Sequence, residues 1–357
     1  MEALQYFLEL AAIDNVHPNE ADVLSYVKLK LSSFGIKFFQ DDYGNIVASI
    51  PSSSNPDKYV ALSGHVDIAA PLNNRKIIQD GEIIKTDGTS LLGGDDKSAV
   101  AAMLWLCEQH YLGQANPKFN IELIFSVGEE AGLLGAKNLN YSLVHSNEIL
   151  VFDWLGSVNR IITRSPAYIK IDVEFKGKSA HPAEWQKGIN AGQFLMLAAS
   201  KLNQGEYKNG VTFNIGRVNV GSARNQVPGQ ASLEAEIRSF NYRDALNSAE
   251  EIIAHFETIA KLNSLTCTAV KDADAGAYEL DSSSNLMQQV KQALNLINLE
   301  PKFEQTYGCF DANIFTKHGK DVVILGAGYY NPHGPDEYLS IPEFNQMVEF
   351  IRYFCCF

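Results

Sequence analysis

The sequence predicts an α/β fold in which a large domain is interrupted by a smaller α+β domain. The chain has 357 residues, which at about 150 residues per domain corresponds to two or three domains. Apolar strands alternate with helices up to about residue 160 and again near residue 321, whereas strands between residues 164 and 272 alternate strictly between apolar and polar residues. Strict alternation indicates a sheet with one buried and one solvated face.

The larger domain begins with a predicted helix over residues 2–34, where apolar residues recur at helical spacing and Gly35 follows as a stop. Mostly apolar strands between helices indicate a sheet covered by helices on both faces. The predicted strands are residues 59–63, 121–127, 149–152 and 321–325, and a helix is predicted at residues 98–110.

The smaller domain has the element order strand–helix–strand–strand–helix–strand, which is ferredoxin-like. Its alternating strands include residues 169–175, 211–215 and 233–237, and its helices are predicted at residues 189–202 and 243–262. We therefore expect a ferredoxin-like domain at residues 164–272, inserted into a discontinuous domain made of residues 1–163 and 273–357.

Composition and charge exclude several classes of protein. The chain has 42 acidic and 29 basic residues and a formal net charge of -13, the opposite of the balance expected of a nucleic-acid binder. The acidic excess is explained most simply by solubility. The alternative is that some of the carboxylates are gathered at one place to bind cations. Because no apolar run reaches the ~18 residues of a membrane span, and the N-terminus lacks a signal-peptide pattern, we expect neither a membrane partner nor secretion. Five cysteines without a C-x-x-C motif fit reduced thiols in the cytoplasm.

Five short segments place His, Asp or Glu just after an apolar strand or at the start of a helix. Each segment alone has an ordinary explanation, such as a surface pair, a helix cap or a solvated loop. Together they indicate one site, because ligands bind at the carboxyl ends of strands in open α/β sheets. Two histidines and several carboxylates without cysteine suit a zinc- or cobalt-type divalent metal. The segments are Gly64-His65-Val66-Asp67, Gly93-Gly94-Asp95-Asp96-Lys97, Gly128-Glu129-Glu130, Asp153 and Pro332-His333-Gly334.

Motifs along nearly the whole chain resemble the M20 family of metallopeptidases and amidohydrolases, and within it the peptidase T (tripeptide aminopeptidase) branch. The motifs are TDGTSLLGGDDK at 86–97, SVGEEAGLLG at 126–135, GKSAHP at 177–182, NIG at 214–216 and NQVP at 225–228. The resemblance implies a zinc-exopeptidase-like catalytic domain with a central mixed sheet flanked by helices. It also identifies the inserted domain as a lid and dimerisation domain.

The same resemblance implies two divalent metal ions, most simply zinc, with cobalt or manganese as alternatives. Five residues are implied as their ligands, whereas the neighbouring Asp96 is not carried over as one. The implied ligands are His65 and Asp153 for one metal, Glu130 and His333 for the other, and Asp95 for both.

Catalytic roles are also implied by the resemblance. Glu129 is expected to act as general base, taking a proton from the attacking water and passing it to the leaving amine. Asp67 is expected to orient the ring of His65. His181 of the lid is expected to stabilise the oxyanion, reaching in from the partner subunit of a homodimer; a surface histidine is the alternative.

Two lid residues, Asn225 and Arg238, resemble the substrate-contacting positions of the family. Arg238 lies on the polar side of its strand, so a solvated arginine is the alternative there. Asp311 and Glu337 are expected to support the site or to face the substrate.

The expected activity is removal of N-terminal residues from short peptides, most simply tripeptides. One alternative is an M20-type amidohydrolase or carboxypeptidase that acts on N-acyl amino acids or on C-terminal residues. A second alternative is a non-catalytic metal- or peptide-binding protein. Glu129 argues against the second alternative, since pure binding does not require a base.

Overall fold

A computed structural model describes residues 2–72 and 75–356, which divide into two units. The first unit comprises the chain up to Thr163, Glu279–Gln305 and the chain from Phe310 onward. The second unit comprises Arg164–Tyr278 and Thr306–Cys309. Compared with the expected insertion at residues 164–272, the second unit runs on to Tyr278 and takes in one later short segment.

Helices and strands alternate along the first unit, whereas strands predominate in the second. The helices are α1 (Ala3–Ala11), α2 (Ala21–Ser33), α3 (Gly94–Tyr111), α4 (Leu134–Asn138), α5 (Ala191–Ala199), α6 (Tyr242–Leu262), α7 (Asn285–Leu296), α8 (Asp311–Lys317) and α9 (Ile341–Cys356), with 3-10 turns at Tyr141–Leu143 and Pro182–Lys187. The strands are β1 (Lys37–Gln40), β2 (Ile46–Ile50), β3 (Tyr59–His65), β4 (Ile77–Asp80), β5 (Ile83–Thr86), β6 (Asn120–Ser126), β7 (Glu148–Trp154), β8 (Arg160–Ser165), β9 (Ala167–Lys176), β10 (Gly205–Lys208), β11 (Val211–Val220), β12 (Gln230–Ser239), β13 (Thr266–Ala275), β14 (Tyr278–Glu279), β15 (Lys302–Gln305), β16 (Asp321–Gly326), β17 (Tyr329–Tyr330) and β18 (Tyr338–Ser340).

The first unit is built on a mixed sheet with the strand order β1-β2-β6-β3-β7-β16-β8. Strand β3 pairs in parallel with β6 and β7, and β7 pairs in parallel with β16, whereas β1, β2 and β8 run antiparallel to their neighbours. Helices α3, α7 and α8 pack against these strands. Because the four central strands are parallel, their carboxyl ends lie at one edge of the sheet, where the predicted ligands follow.

A smaller sheet of order β17-β18-β5-β4 carries a further part of the site. Strands β17 and β18 pair antiparallel, with Tyr330 opposite Tyr338, and β18 continues onto β5 with Leu339 opposite Ile84. The turn between β17 and β18 contains His333. The sheet therefore determines where the backbone of that residue lies.

The single helix predicted over residues 2–34 is wrong, because α1 and α2 are separate helices. The segment between them contains His17-Pro18. Proline has no backbone N–H to continue a helix, and it disfavours a helical conformation in the residue before it. This connecting segment packs against the site loops instead: the side-chain amide of Asn15 donates to the carbonyl of Val66, and Nζ of Lys97 donates to the carbonyl of Ile13 at 2.7 Å.

The second unit contains an antiparallel sheet of order β10-β11-β12-β9-β13, against which α5 and α6 pack. Its chain order β9–α5–β11–β12–α6–β13 is the predicted ferredoxin-like order, with the short β10 added before β11. The inward-facing residues of β9 are buried as the alternation predicts, from Ile169 to Phe175. No helix in the described part of the chain is long and apolar enough to cross a membrane.

Candidate metal centre

The carboxyl ends of three parallel strands deliver most of the predicted site. His65 is the last residue of β3, Asp153 is the penultimate residue of β7, and Glu129 and Glu130 follow the end of β6. Asp95 lies at the start of α3, where its backbone is not helical. The parallel pairing of β3 with β6 and β7 explains why residues so distant in sequence meet.

The carboxylate of Asp95 lies between two histidines. Its Oδ1 is 3.1 Å from Nε2 of His65, and its Oδ2 is 3.2 Å from Nε2 of His333. Nε2 of His333 is also 2.8 Å from Oε1 of Glu130, and Nε2 of His65 is 3.8 Å from Oδ1 of Asp153. The structure thus brings the five predicted ligands together, with the two oxygens of Asp95 directed at different imidazoles.

The adjacent Asp96 also lies within the site. Its Oδ2 accepts the backbone N–H of His65 at 3.3 Å, and its Oδ1 is buried without a hydrogen-bond partner in the described part of the chain. Donor atoms of His65, Asp95 and Glu130 lie within 4.8 Å of one another, and so do those of His65, Asp96 and Asp153. Asp96 is therefore a rival ligand at the first metal position. Of the two aspartates, Asp95 is the one that meets both histidines.

Burial and neighbouring acidic groups disfavour the ionised form of several carboxyl groups in the cluster. Burial, followed by the charge of Asp153, raises the pKa of Glu129 well above its usual range, and burial and Asp95 do the same for the pKa of Asp153. Burial opposes ionisation of Asp95, but hydrogen bonds from His333 and His65 lower its pKa. Hydrogen bonds to Asp95 and Glu130 raise the pKa of His333 to about 10.

This combination of groups fits a pair of divalent cations. Several buried carboxylates in mutual contact are costly unless cations compensate them. Imidazole and carboxylate are suitable donors for zinc and for related divalent metals. The Oδ1 of Asp96, which is buried without a hydrogen-bond partner in the described part of the chain, also fits a nearby cation.

Asp67 connects the first histidine to the two glutamates. It is fully buried, its Oδ1 accepts the backbone N–H of Glu129, and its Oδ2 accepts that of Glu130, both at 3.0 Å. Nδ1 of His65 lies 3.1 Å from the carbonyl oxygen of Asp67 and 3.4 Å from its Oδ1. Asp67 therefore contacts both the His65 ring and the turn that carries the expected base.

Three further residues support the site from outside. The hydroxyl of Tyr329 donates to Oδ1 of Asp153 at 3.1 Å. Sequence reasoning missed this contact because it depends on the segment after β16 lying beside the end of β7, where the N–H of Gly156 donates to the carbonyl of Tyr329 at 2.8 Å. Asp311 accepts the hydroxyl of Ser126 at 2.5 Å, and burial raises its pKa to about 6. Glu337 accepts three backbone N–H groups from the loop before Asp95, and burial raises its pKa to about 7.

Within the second unit, the structure places His181 beside the loop of Asn225. His181 is exposed and precedes the 3-10 turn Pro182–Lys187, where its Nδ1 accepts the backbone N–H of Ala183 at 3.2 Å. Asn225 is also exposed. The two segments run side by side, because the N–H of Val227 donates to the carbonyl of Ala180 at 2.8 Å.

Arg238 lies on β12, apart from these loops, and is half-buried. Its Nε donates to Oε1 of Glu236 at 3.0 Å, and its Nη1 donates to the carbonyl of Tyr307 at 2.6 Å. The guanidinium also stacks over the ring of Tyr168, 4.8 Å from the ring centre. These contacts hold the guanidinium in one orientation within the second unit.

Comparison with known proteins identifies the family. Residues 165–264 match the M20 peptidase dimerisation domain, and residues 45–172 match peptidase family M28. The chain is 30% identical over 358 residues to the uncharacterized protein YqjE of Bacillus subtilis, an alignment that covers 98% of this chain and 96% of that protein. The chain belongs to the M20 family of metallopeptidases.

Two solved structures resemble this M20 peptidase over nearly its whole length. A tripeptidase from Staphylococcus aureus has a TM-score of 0.86 at 27% identity, and the aminopeptidase PepT from Bacillus cereus has a TM-score of 0.83 at 26% identity. Each alignment covers 99% of this chain and 96% of the other. The family and the fold predicted from the sequence are therefore confirmed, and this M20 protein is a metal-dependent peptidase.

Proposed function

We propose that this M20 peptidase is a two-metal aminopeptidase that removes N-terminal residues from short peptides, above all tripeptides. The observation that carries the two-metal proposal is the Asp95 carboxylate, whose oxygens lie 3.1 Å from His65 and 3.2 Å from His333. The similarity to a tripeptidase and to an aminopeptidase PepT supports the substrate class.

Five side chains would hold the metal ions. His65 and Asp153 would hold the first, Glu130 and His333 the second, and Asp95 both. Zinc is the proposed metal, although this donor set also accepts cobalt or manganese. When bound, the two ions would polarise the scissile carbonyl and lower the pKa of the attacking water.

Glu129 would move the proton. Its backbone is held by Asp67, and its carboxylate is buried among the acidic groups of the site. Burial and the charge of Asp153 raise the pKa of Glu129 in the metal-free protein, and bound cations would favour the ionised form, which can accept a proton. Glu129 would take a proton from the attacking water and deliver it to the amine that leaves.

His181 would stabilise the oxyanion. Because its Nδ1 accepts the N–H of Ala183, a neutral ring carries its proton on Nε2. Nε2–H is then a hydrogen-bond donor, as an oxyanion requires. Asn225 on the adjacent loop, together with Arg238, would contact the substrate.

The proposed assembly is a homodimer in the cytoplasm. The match of residues 165–264 to a peptidase dimerisation domain supports a dimer formed through the second unit, in which His181 serves the site of the partner subunit. No disulfide joins the described cysteines, and burial raises the thiol pKa of Cys107 and Cys355. Unreactive free thiols fit a reducing compartment.

A substrate panel tests the proposed activity. Metal-replete enzyme is given a free tripeptide, its N-acetylated form, its C-terminal amide, and the corresponding dipeptide and tetrapeptide, and the products are identified by mass spectrometry. We expect the free tripeptide and its amide to lose their N-terminal residue. Cleavage of the acetylated form alone would instead indicate an amidohydrolase, and release of the C-terminal residue would indicate a carboxypeptidase. The Glu129→Gln protein, purified in parallel, controls for contaminating peptidases.

A further inference from the structure

Glu337 joins the two loops that carry Asp95 and His333. Its side chain is 1% exposed. Its Oε2 accepts the backbone N–H groups of Leu92 and Gly93, both at 2.7 Å, and its Oε1 accepts the N–H of Asp95 at 3.1 Å. One carboxylate thereby holds three donors of the loop that ends in the proposed shared ligand.

The loop before Asp95 is shaped around this carboxylate. Gly93 has a φ of +78°, a left-handed conformation that glycine adopts without a steric penalty. Such a residue turns successive N–H groups toward a single anion. A Cβ at Gly94 would lie 3.1 Å from Oε1 of Glu337 and 2.8 Å from Cβ of Tyr329, so the loop backbone approaches the carboxylate closely.

The backbone of Glu337 is fixed on the other side, in the turn of His333. Its N–H donates to the carbonyl of Gly334 at 3.2 Å, and β18 begins at the next residue, Tyr338, which pairs with Lys85. His333 itself has a φ of +66°, and its imidazole is 53% exposed. Its Nε2 lies 3.2 Å from Oδ2 of Asp95 and 2.8 Å from Oε1 of Glu130, so the turn that contains Glu337 carries the ring to two of the site carboxylates.

We propose that Glu337 is a positioning residue for the second metal ion, the one assigned above to Glu130 and His333. The inference rests on the two-metal site of the proposed function. Two of the three ligands of this ion, Asp95 and His333, lie on the loops that Glu337 joins. The first ion also uses Asp95, but its other ligands are fixed on strands β3 and β7 of the central sheet.

The variant Glu337→Gln separates positioning from folding. Glutamine has the same shape, and its carbonyl oxygen can still accept the N–H groups of Leu92 and Gly93. Its NH2 group would then face the N–H of Asp95, which places two donors against each other. The substitution therefore releases the Asp95 contact while it keeps the volume of the buried side chain. Glu337→Asp is the second variant, since it keeps the charge but is too short to reach the same donors.

The test is a titration of metal-free protein with Co²⁺. Calorimetry and visible absorption monitor the binding. Wild-type protein is expected to bind two equivalents. Both variants are expected to bind one equivalent as the wild type does and the other about 10–100-fold more weakly, the usual effect of losing a residue that orients a metal ligand. Glu349→Gln, at an exposed position of α9, is the matched control and should bind as wild type does.

Several outcomes overturn the inference. If both variants bind both equivalents as tightly as the wild type does, Glu337 has no role in metal binding. Equal weakening of both equivalents, together with a lowered Tm of the metal-free protein, shows a general structural role instead. If Glu337→Gln does not fold, Glu337→Asp is judged by the same criteria, and failure of both to fold also contradicts positioning. Wild-type protein that binds a single equivalent contradicts the two-metal site itself, and this result is distinct from any effect of Glu337.

Discussion

One carboxylate oxygen of Asp67 accepts the backbone N–H of Glu129 at 3.0 Å. The other oxygen accepts the N–H of Glu130 at the same distance. The Asp67 side chain is fully buried, and Asp67 lies two residues after His65, the last residue of β3. The turn that carries the proposed base is thus anchored to the strand that carries the first ligand. This anchoring predicts an effect of Asp67 on activity, although Asp67 is not itself a proposed metal ligand.

Asp67→Asn is expected to lower kcat/KM by about 10–100-fold. Asparagine has one acceptor oxygen and one NH2 group, so one of the two backbone N–H groups loses its acceptor. Steady-state kinetics with a free tripeptide, together with metal analysis, measure the effect. Asp57→Asn, at an exposed position of the first unit, should leave kcat/KM unchanged. Equal activity of the two variants would show that the anchoring is dispensable.

Metal binding is expected to release protons and to weaken as the pH falls. Hydrogen bonds to Asp95 and Glu130 raise the pKa of His333 to about 10, so its imidazole is protonated at pH 7 in the metal-free protein. A metal requires the neutral ring, and the proton therefore competes with the metal below that pKa. Calorimetric titration with zinc at pH 7, in buffers of different ionisation enthalpy, gives the number of protons released.

The matched variant for this measurement is His333→Ala. It is expected to reduce the release by about one proton per protein, because the competing imidazole is gone. Proton release that is the same in both proteins would show that His333 does not give up a proton to the metal. The imidazole of His333 would then be neutral before the metal binds.

His181→Ala is expected to lower kcat on the order of 10²–10³-fold, the usual effect of removing an oxyanion donor. KM should change far less, since the donor acts on charge that develops in the transition state. His181→Gln retains an N–H donor and is expected to recover part of the loss. An effect confined to KM would indicate substrate binding at His181 instead of oxyanion stabilisation.

Sequence reasoning succeeded where a short pattern decides the structure. The apolar run that ends in His65 forms β3, and the parallel order of the central strands follows from strands that alternate with helices. It failed between Ala11 and Ala21, because helical periodicity on both sides concealed the break at His17-Pro18. Pro18 was the signal that could have predicted this break, because an interior proline ends or kinks a helix.

The sequence alone did not predict contacts between segments that are far apart in the chain. Tyr329 contacts Asp153 because the segment that follows β16 lies beside the end of β7, and this pairing is not encoded in a local motif. Glu337 was expected to support the site, but its three N–H partners lie more than 240 residues earlier in the chain. Such partners become visible only when the two loops are folded together.

Glu129→Gln separates proton transfer from metal binding when metal content and turnover of a free tripeptide are measured on the same sample. Glutamine cannot accept the proton of the attacking water, whereas the five proposed ligands are untouched. We expect two metal equivalents, as in the wild type, with turnover lower by about 10²–10⁴-fold, the range for loss of a general base. Turnover equal to that of the wild type, or inactivity explained by lost metal, would contradict the role of Glu129.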